Sequence, residues 1–406
     1  MKKTVLFVDH DLGRSGSTVS LEYMVKAFSK KNYLVFILTP KRKLNLTPLL
    51  NAGATLYSSQ RWHLSNMAMG FHFTNTVSPF SWTGVRTNLN SIAKFVIGFF
   101  IVRRAIKTIR PDLVYVNEYV IVQASVAAYL SGIPAAIHVR SPILQGAFRI
   151  RQRLASRLVL IFNRVVFAIT RTEAAQLCPR LAERDKIKVV GEFFSKVDMR
   201  SVDEEIWKEK LGLSDGANVV TMLGGIQTIK GTVDFLRAAQ IVVSGRSDVV
   251  FVVAGRDFRD MNSKEWAYSE ECMRIADILK VKDAIRILGV VTTSLDLIAA
   301  SDIVVSPSSQ THFSRPVIEA WGFGKPVIAA RTTHMEDLIT HGVNGLLVEP
   351  GDHHALANCL FQLLDDVKLC KRLGSEGRKK TNAEFDADKN LQTIVETCDS
   401  LISAEN

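Results

Sequence analysis

The sequence predicts an α/β protein built from two modules, each a parallel sheet flanked by helices. Three observations carry that expectation. Short, β-branched runs of strand length alternate with amphipathic runs of helical length along nearly all of the 406 residues. That rhythm pauses once, where FFSKVDMRSVDEEIWKEKLGLSDGA is charged and short of strand signal. The length also suits two domains at ~150 residues each, and a 47% hydrophobic content with 22% charged residues can fill two cores.

The first strand is TVLFVDH. Only the run TVLFV separates Lys3 from Asp9, which is too short for a signal-peptide core and suits a buried strand. YLVFILTP, DLVYVNEY and PAAIHVR follow as strands, with VSLEYMVKAFSKK, SIAKFVIGFFIVRRAIKTIR and IVQASVAAYLSG as helices between them. VVFAIT and KIKVV complete a first module over residues 1–195. The second, 196–385, opens with NVVTMLGG and a helix from Thr232 to about Val243. It continues through VVFVVAG, a helix around ECMRIADILK, IRILGVV, the helix SLDLIAA and the strand DIVVSPS. KPVIAAR and GLLVEP end its sheet, and the tail 386–406 reads as a helix that packs back on the first module.

Five cysteines without a CxxC pair argue for reduced thiols in a cytosolic protein, against a disulfide framework and against a zinc site. The net charge of +11 is uneven: Arg86, Lys94, Arg103, Arg104, Lys107 and Arg110 lie in a stretch without an acid, and Arg140, Arg149, Arg151, Arg153 and Arg157 form a second block. The 92–110 run mixes these cations with bulky apolar residues, and its longest uncharged piece, FVIGFFIV, is far short of a transmembrane span. It fits either a helix packed on the sheet with a solvated basic face or contact with an anionic membrane surface. No nucleic-acid motif accompanies the charge, so nucleic acid is not expected as a partner.

In open α/β sheets ligands bind beyond the carboxyl ends of the strands, so the loops that follow strands are the candidate sites. After TVLFVDH, Gly13 and Gly16 precede a helix whose first amides can meet an anion or hydroxyl, although a tight strand–helix turn explains them too. The GxGxxG spacing of dehydrogenases is missing. After NVVTML, Gly224 and Gly225 allow close backbone approach, and Lys230 places a cation before a helix. Gly255-Arg256 follows another strand. The segment SPSSQTHFSRPVIEAWGFGKPVI is more specific. Ser314 or a neighbour can cap a short helix carrying Arg315 and Pro316 in its first turn and Glu319 one turn in, with Gly322 and Gly324 closing it.

In this order and spacing the motifs resemble the retaining glycosyltransferases of family GT4, whose fold, GT-B, pairs two Rossmann-like domains. The resemblance covers nearly the whole chain. The family pattern Gly-Arg-Leu-x-x-x-Lys-Gly is similar to Gly224–Gly231. The pattern Pro-Ser-x-x-Glu-x-Phe-Gly-x-x-x-x-Glu-Ala is similar to the run holding Pro307, Ser308, Thr311, Phe313, Ser314, Glu319 and Ala320. GKPVIAA, HGVNGLLVEPGDHHALANCLFQLLDD, RPDLVYVNEY and the GIP before AAIHVR add to it.

The resemblance implies a metal-independent transfer of a sugar, with retention, from a nucleotide-sugar donor to a polysaccharide or lipid-linked acceptor. The nucleotide sugar is a substrate and no cofactor is expected. Lys230 would bind the diphosphate and Glu319 the ribose, and Arg140 stands where the family often has a histidine. Gly16, Gly224, Gly225, Arg256, Thr311, His312, Phe313 and Ser314 complete the expected donor site. The chain departs from the pattern at Thr311 for the first glutamate, Gly225 for an arginine and Thr333-His334 for a glycine pair. Arg140, Arg256 or Arg315 could supply the lost cation. Two alternatives accompany this expectation: a transferase-like scaffold subunit with impaired catalysis, and a GT-B epimerase or phosphorylase. The expected location is the cytoplasm, with peripheral contact on the inner face of the membrane through 92–110.

Overall fold

The computed structural model describes residues 2–10, 16–39, 46–57, 82–143, 149–177, 181–195, 202–203, 205–212, 216–255, 264–278, 284–291 and 294–405. The chain divides into two compact units, Met1–Phe193 with Ala387–Asn406, and Phe194–Asp386.

The first unit is a seven-stranded parallel sheet in the order β3-β2-β1-β4-β5-β6-β7. Its strands are β1 (Thr4–Val8), β2 (Leu34–Leu38), β3 (Ala54–Leu56), β4 (Leu113–Val116), β5 (Ala135–Val139), β6 (Val165–Ala168) and β7 (Ile187–Val189). β4, β5 and β6 are buried at every residue, which is why they read as continuous apolar runs rather than alternating ones. One face is covered by the helices Trp82–Ile109, Gln123–Tyr129 and Ile150–Phe162. The other carries Gly16–Lys30 and the C-terminal helix Ala387–Glu405, whose Leu391, Ile394, Val395, Cys398 and Ile402 pack with Phe7, Phe28, Tyr115 and Phe193. Hydrogen bonds from Tyr33 Oη to Asp399 (2.6 Å) and from Lys188 Nζ to Thr397 (3.0 Å) hold the same helix.

The second unit is a six-stranded parallel sheet in the order β10-β9-β8-β11-β12-β13. It comprises β8 (Asn218–Leu223), β9 (Val249–Ala254), β10 (Ile285–Gly289), β11 (Ile303–Ser306), β12 (Val327–Ala330) and β13 (Leu346–Val348). The helices Thr232–Gly245 and His353–Asp365 cover one face. Arg315–Gly322 and Thr333–Leu338 contribute to the core of the other. Trp321 anchors that second core: it is fully buried, and its indole donates to the Asn344 carbonyl (2.9 Å). The helix Val367–Glu384 lies against Arg315–Gly322 at Gly377, where a Cβ would come within 2.1 Å of the Trp321 ring.

Several elements differ from expectation. β3 and the helix Thr47–Asn51 carry no strong periodic signal because each is short, at three and five residues. The helix expected over 91–110 begins at Trp82. Of the second basic block, noted only for its charge, Arg151, Arg153 and Arg157 lie on the helix Ile150–Phe162, whose Gln152, Ala155, Ser156, Val159 and Leu160 are buried. Among the described residues no helix is long and apolar enough to cross a membrane.

Candidate active site

In each sheet the strand order reverses at one place, between β1 and β4 in the first unit and between β8 and β11 in the second. Chains leaving adjacent strands in opposite directions open a crevice there, the usual ligand position in open α/β sheets.

In the second unit the crevice lies between the loop after β8 and the loop after β11. Gly224 and Gly225, both at positive φ, turn the chain sharply, and their amides donate to the Ala254 carbonyl (3.0 and 2.9 Å). A single 3-10 turn, Thr228–Lys230, follows. It is stitched to the opposite loop by the Ser309 amide donating to the Ile229 carbonyl (3.2 Å) and the Ser309 hydroxyl donating to the Thr228 carbonyl (3.2 Å).

The Lys230 stem lies over Gly224, where an added Cβ would sit 3.1 Å from its Cε. Its ammonium donates to His312 Nε2 at 2.6 Å, and among the described residues no carboxylate pairs with it. Burial without a counter-charge pushes the Lys230 pKa down to about 8. Burial first, and then the neighbouring Lys230 charge, push His312 down to about 4, so the imidazole is neutral at physiological pH. The loop therefore holds a positive charge that an anion would relieve.

Ser314 occupies the N-cap position of Arg315–Gly322 but does not cap it. Its hydroxyl instead accepts from Ser306 (2.9 Å), fastening the two ends of the β11 loop to each other. Pro316 costs the helix nothing at its start because the first amides have no intrahelical partner. Glu319 is buried, and its Oε1 accepts from Arg315 Nε at 2.7 Å. Arg315, one of the expected replacement cations, is thus engaged on the very acid expected at a ribose. Phe313 turns toward the core, 6.1 Å from the Phe385 ring. Thr311 is half-buried between these residues.

The first unit holds a buried polar cluster at its own strand ends. Arg140, directly after β5, pairs with Glu192 and donates to Asn117 Oδ1 (3.3 Å), and its Nη2 lies 3.0 Å from His138 Nδ1. Asn117, directly after β4, donates to Asp9, directly after β1 (3.0 Å). The Ser20 hydroxyl lies within hydrogen-bond reach of both Glu192 and the Gly16 carbonyl, so Gly16 begins a helix tied into the cluster. Glu118 accepts from the Tyr119 amide and from Ser141 (both 2.8 Å), yet its burial pushes the pKa up to about 7.

Gly224, Gly225, Lys230, Thr311, His312, Phe313, Ser314 and Glu319 all belong to the two loops and the helix at the β8/β11 reversal. Gly16 and Arg140 belong to the first unit. Arg140 is committed to Glu192 rather than free to replace a lost cation. Arg256 lies outside the described residues. Asp9, Asn117 and Glu192 were not singled out from sequence. For Asp9 and Asn117 the signal was available, since each is the first polar residue after a buried strand. Glu192 offered none, because its partners lie 52 and 172 positions away.

The sequence profile described as "Glycosyl transferases group 1" matches residues 203–380. Residues 203–380 are a group 1 glycosyl transferase domain. A D-inositol 3-phosphate glycosyltransferase of Thermobifida fusca is 28% identical over 238 residues, 56% of this chain and 53% of that protein. The Escherichia coli UDP-Gal:alpha-D-GlcNAc-diphosphoundecaprenol alpha-1,3-galactosyltransferase is 25% identical over 283 residues, 66% of this chain and 70% of that one. The chain spans about half the length of several of the curated relatives it matches. Among solved structures, Anabaena Alr3699/HepE in complex with UDP-glucose superposes with a TM-score of 0.74 at 21% identity, covering 98% of this chain and 99% of that one. The chain therefore has the two-domain GT-B fold of glycosyltransferases.

Proposed function

We propose that the chain is a retaining, metal-independent glycosyltransferase that moves a sugar from a nucleotide-sugar donor to a polysaccharide or lipid-linked acceptor. The observation that carries this is Lys230, a cation at the β8/β11 reversal of a glycosyl transferase domain that pairs with no carboxylate among the described residues. Its charge is placed to stabilise a departing nucleoside diphosphate, the role a metal ion plays in other transferases. Glu319 keeps one carboxylate oxygen beyond its bond to Arg315 and would accept ribose hydroxyls with it. Attack by the acceptor hydroxyl on the face the diphosphate leaves would preserve the anomeric configuration. A UDP-sugar is the first donor to try, because the Anabaena neighbour was solved with UDP-glucose.

The test is a thermal-shift screen with UDP-, GDP- and other nucleotide sugars, followed by measurement of nucleoside diphosphate release. A ligand at about 100 times its Kd adds ~2.7 kcal/mol to stability and raises the melting temperature. A shift with at least one donor and acceptor-dependent release is expected. The Arg315–Glu319 bond and Thr311 favour a second reading, a binding subunit with impaired catalysis. A shift without release against a broad acceptor panel selects it, and no shift with any nucleotide sugar removes both.

We also place the protein on the cytoplasmic membrane surface, through the helix Trp82–Ile109. Trp82, Val85, Leu89, Ile92, Val96 and Phe100 follow one another at three- and four-residue steps and are all exposed, Trp82 at 83%. The opposite side, Ile101, Val102, Ala105 and Ile106, is buried in the core. By helical periodicity Arg103 and Lys107 continue the line of the stripe and Arg86 and Arg104 lie along one side of it, and the helix contains no acid. The apolar face therefore begins almost three turns before the 92–110 run. An apolar stripe bordered by cations suits an anionic bilayer, each basic residue adding about 1 kcal/mol near the surface. Co-sedimentation with vesicles containing anionic lipid is expected at low salt, weakening as salt rises. Failure to sediment at low salt would remove the proposal.

A further inference from the structure

Lys230 and His312 stand 82 positions apart in sequence and make a short hydrogen bond across the two loops of the donor crevice. Which proton lies where follows from the partners. His312 Nδ1 is 3.1 Å from the Gln310 carbonyl, an acceptor only, so Nδ1 carries the ring proton. Nε2 is then bare and accepts from the lysine, with the Ser308 hydroxyl 3.5 Å away as its other neighbour. The loop bearing His312 is fixed from three directions: by Ser309 on Ile229 and on Thr228, and by Ser306 on Ser314. The ring therefore cannot follow the lysine; the lysine must come to the ring.

We propose that His312 is a positioning residue that aims the Lys230 ammonium at a nucleoside diphosphate. A carboxylate in its place would aim the lysine but also neutralise it, and would compete with the phosphate. An apolar side chain would leave the charge intact but the flexible stem unfixed. A neutral imidazole accepts a hydrogen bond from one of the three ammonium N–H groups, leaving the full charge and two N–H groups for phosphate oxygens. This gives Thr311 a physical context: the chain has no acid there, and the lysine is oriented by the next residue without loss of charge. The proposal rests on the transferase reading only in taking a diphosphate as the anion.

The test compares His312→Gln, His312→Leu and His312→Glu by UDP calorimetry, donor kinetics and 13C NMR of Lys230. His312→Gln offers a carbonyl acceptor of similar reach, and it should bind UDP within about threefold of the parent. His312→Leu should weaken UDP about tenfold, the upper range for one lost hydrogen bond, and raise the donor KM more than it lowers kcat. The Lys230 titration separates positioning from mere packing. Losing the acceptor should move its midpoint below that of the parent, and the carboxylate of His312→Glu should move it above. Besides His312, the buried His334 is the titratable group that acts on this pair, and it is unchanged in every variant.

Parent-like UDP affinity and an unmoved Lys230 midpoint in His312→Leu would overturn the proposal. If that variant does not fold, the opposite shift expected in His312→Glu decides alone. Absence of binding of UDP, GDP and every other nucleoside diphosphate to the parent would defeat the nucleotide reading, while the Lys230 midpoints would still report on the His312 contact.

Discussion

Replacing Lys230 by alanine is expected to lower kcat/KM for the nucleotide-sugar donor about 10- to 100-fold, a loss of ~1.4–3 kcal/mol of transition-state stabilisation. The size follows from what the side chain does. It brings a whole charge into a partly buried crevice with a histidine, not an acid, as its partner. A departing diphosphate gains negative charge as its bond to the sugar breaks, so the interaction strengthens toward the transition state and kcat should fall along with kcat/KM. Gly224, Gly225 and Gly231 hold the turn without the lysine, so the variant should fold.

The same group sets a pH dependence. In the folded protein the Lys230 pKa is about 8, below the ordinary value of 10.5, because burial disfavours its charged form. Below pH 8 the ammonium is charged and the donor site intact. As pH rises through 8 the free protein loses the charge that an unfolded chain would keep, so affinity for UDP should decline above that point. Lys230→Ala should bind weakly at all pH values and lose the transition. Turnover of Lys230→Ala within threefold of the parent, with an unchanged pH profile, would show that the diphosphate is held elsewhere.

The two parallel sheets were legible because their central strands are buried on both faces, so they appear as largely apolar runs bounded by polar residues. β8 and β11 are examples, and the loops that follow them could be chosen before any geometry was known. What could not be read was how those loops meet. The Lys230–His312 bond and the Ser306–Ser314 bond depend on a register between segments that only the folded sheet brings together. Local rules also failed where tertiary bonding won. Ser314 has the residue type and position of a helix cap, yet a hydroxyl eight residues back takes its side chain. Arg315, a plausible spare cation, is drawn one turn along its own helix to Glu319, the geometry that i,i+4 spacing favours. Arg140 similarly could be seen to follow a strand, but its pairing with Glu192 required the fold.

Gly231→Ala is expected to be the most damaging single-methyl change at the site, destabilising the second unit by about 2–5 kcal/mol. Two costs combine. Gly231 sits at φ +71°, where an L-residue pays about 1–2 kcal/mol for its left-handed backbone. The added Cβ would also lie 1.9 Å from the Pro307 carbonyl oxygen, deep inside contact distance and against backbone that cannot rotate away. Relief requires the turn at Thr228–Lys230 to separate from the β11 loop, breaking the Ser309 bonds and carrying Lys230 away from His312. Gly342→Ala provides the control: its φ is +76°, and nothing lies within 4 Å of the added carbon. It pays the backbone cost alone. At roughly 2–4 °C per kcal/mol for a domain of this size, Gly231→Ala should melt about 5–15 °C below the parent, and Gly342→Ala only a few degrees below it. UDP affinity should fall in the first and hold in the second. Equal melting temperatures for the two variants would mean that the loops do not touch at Gly231, and the donor crevice would lose the contact that sets its width.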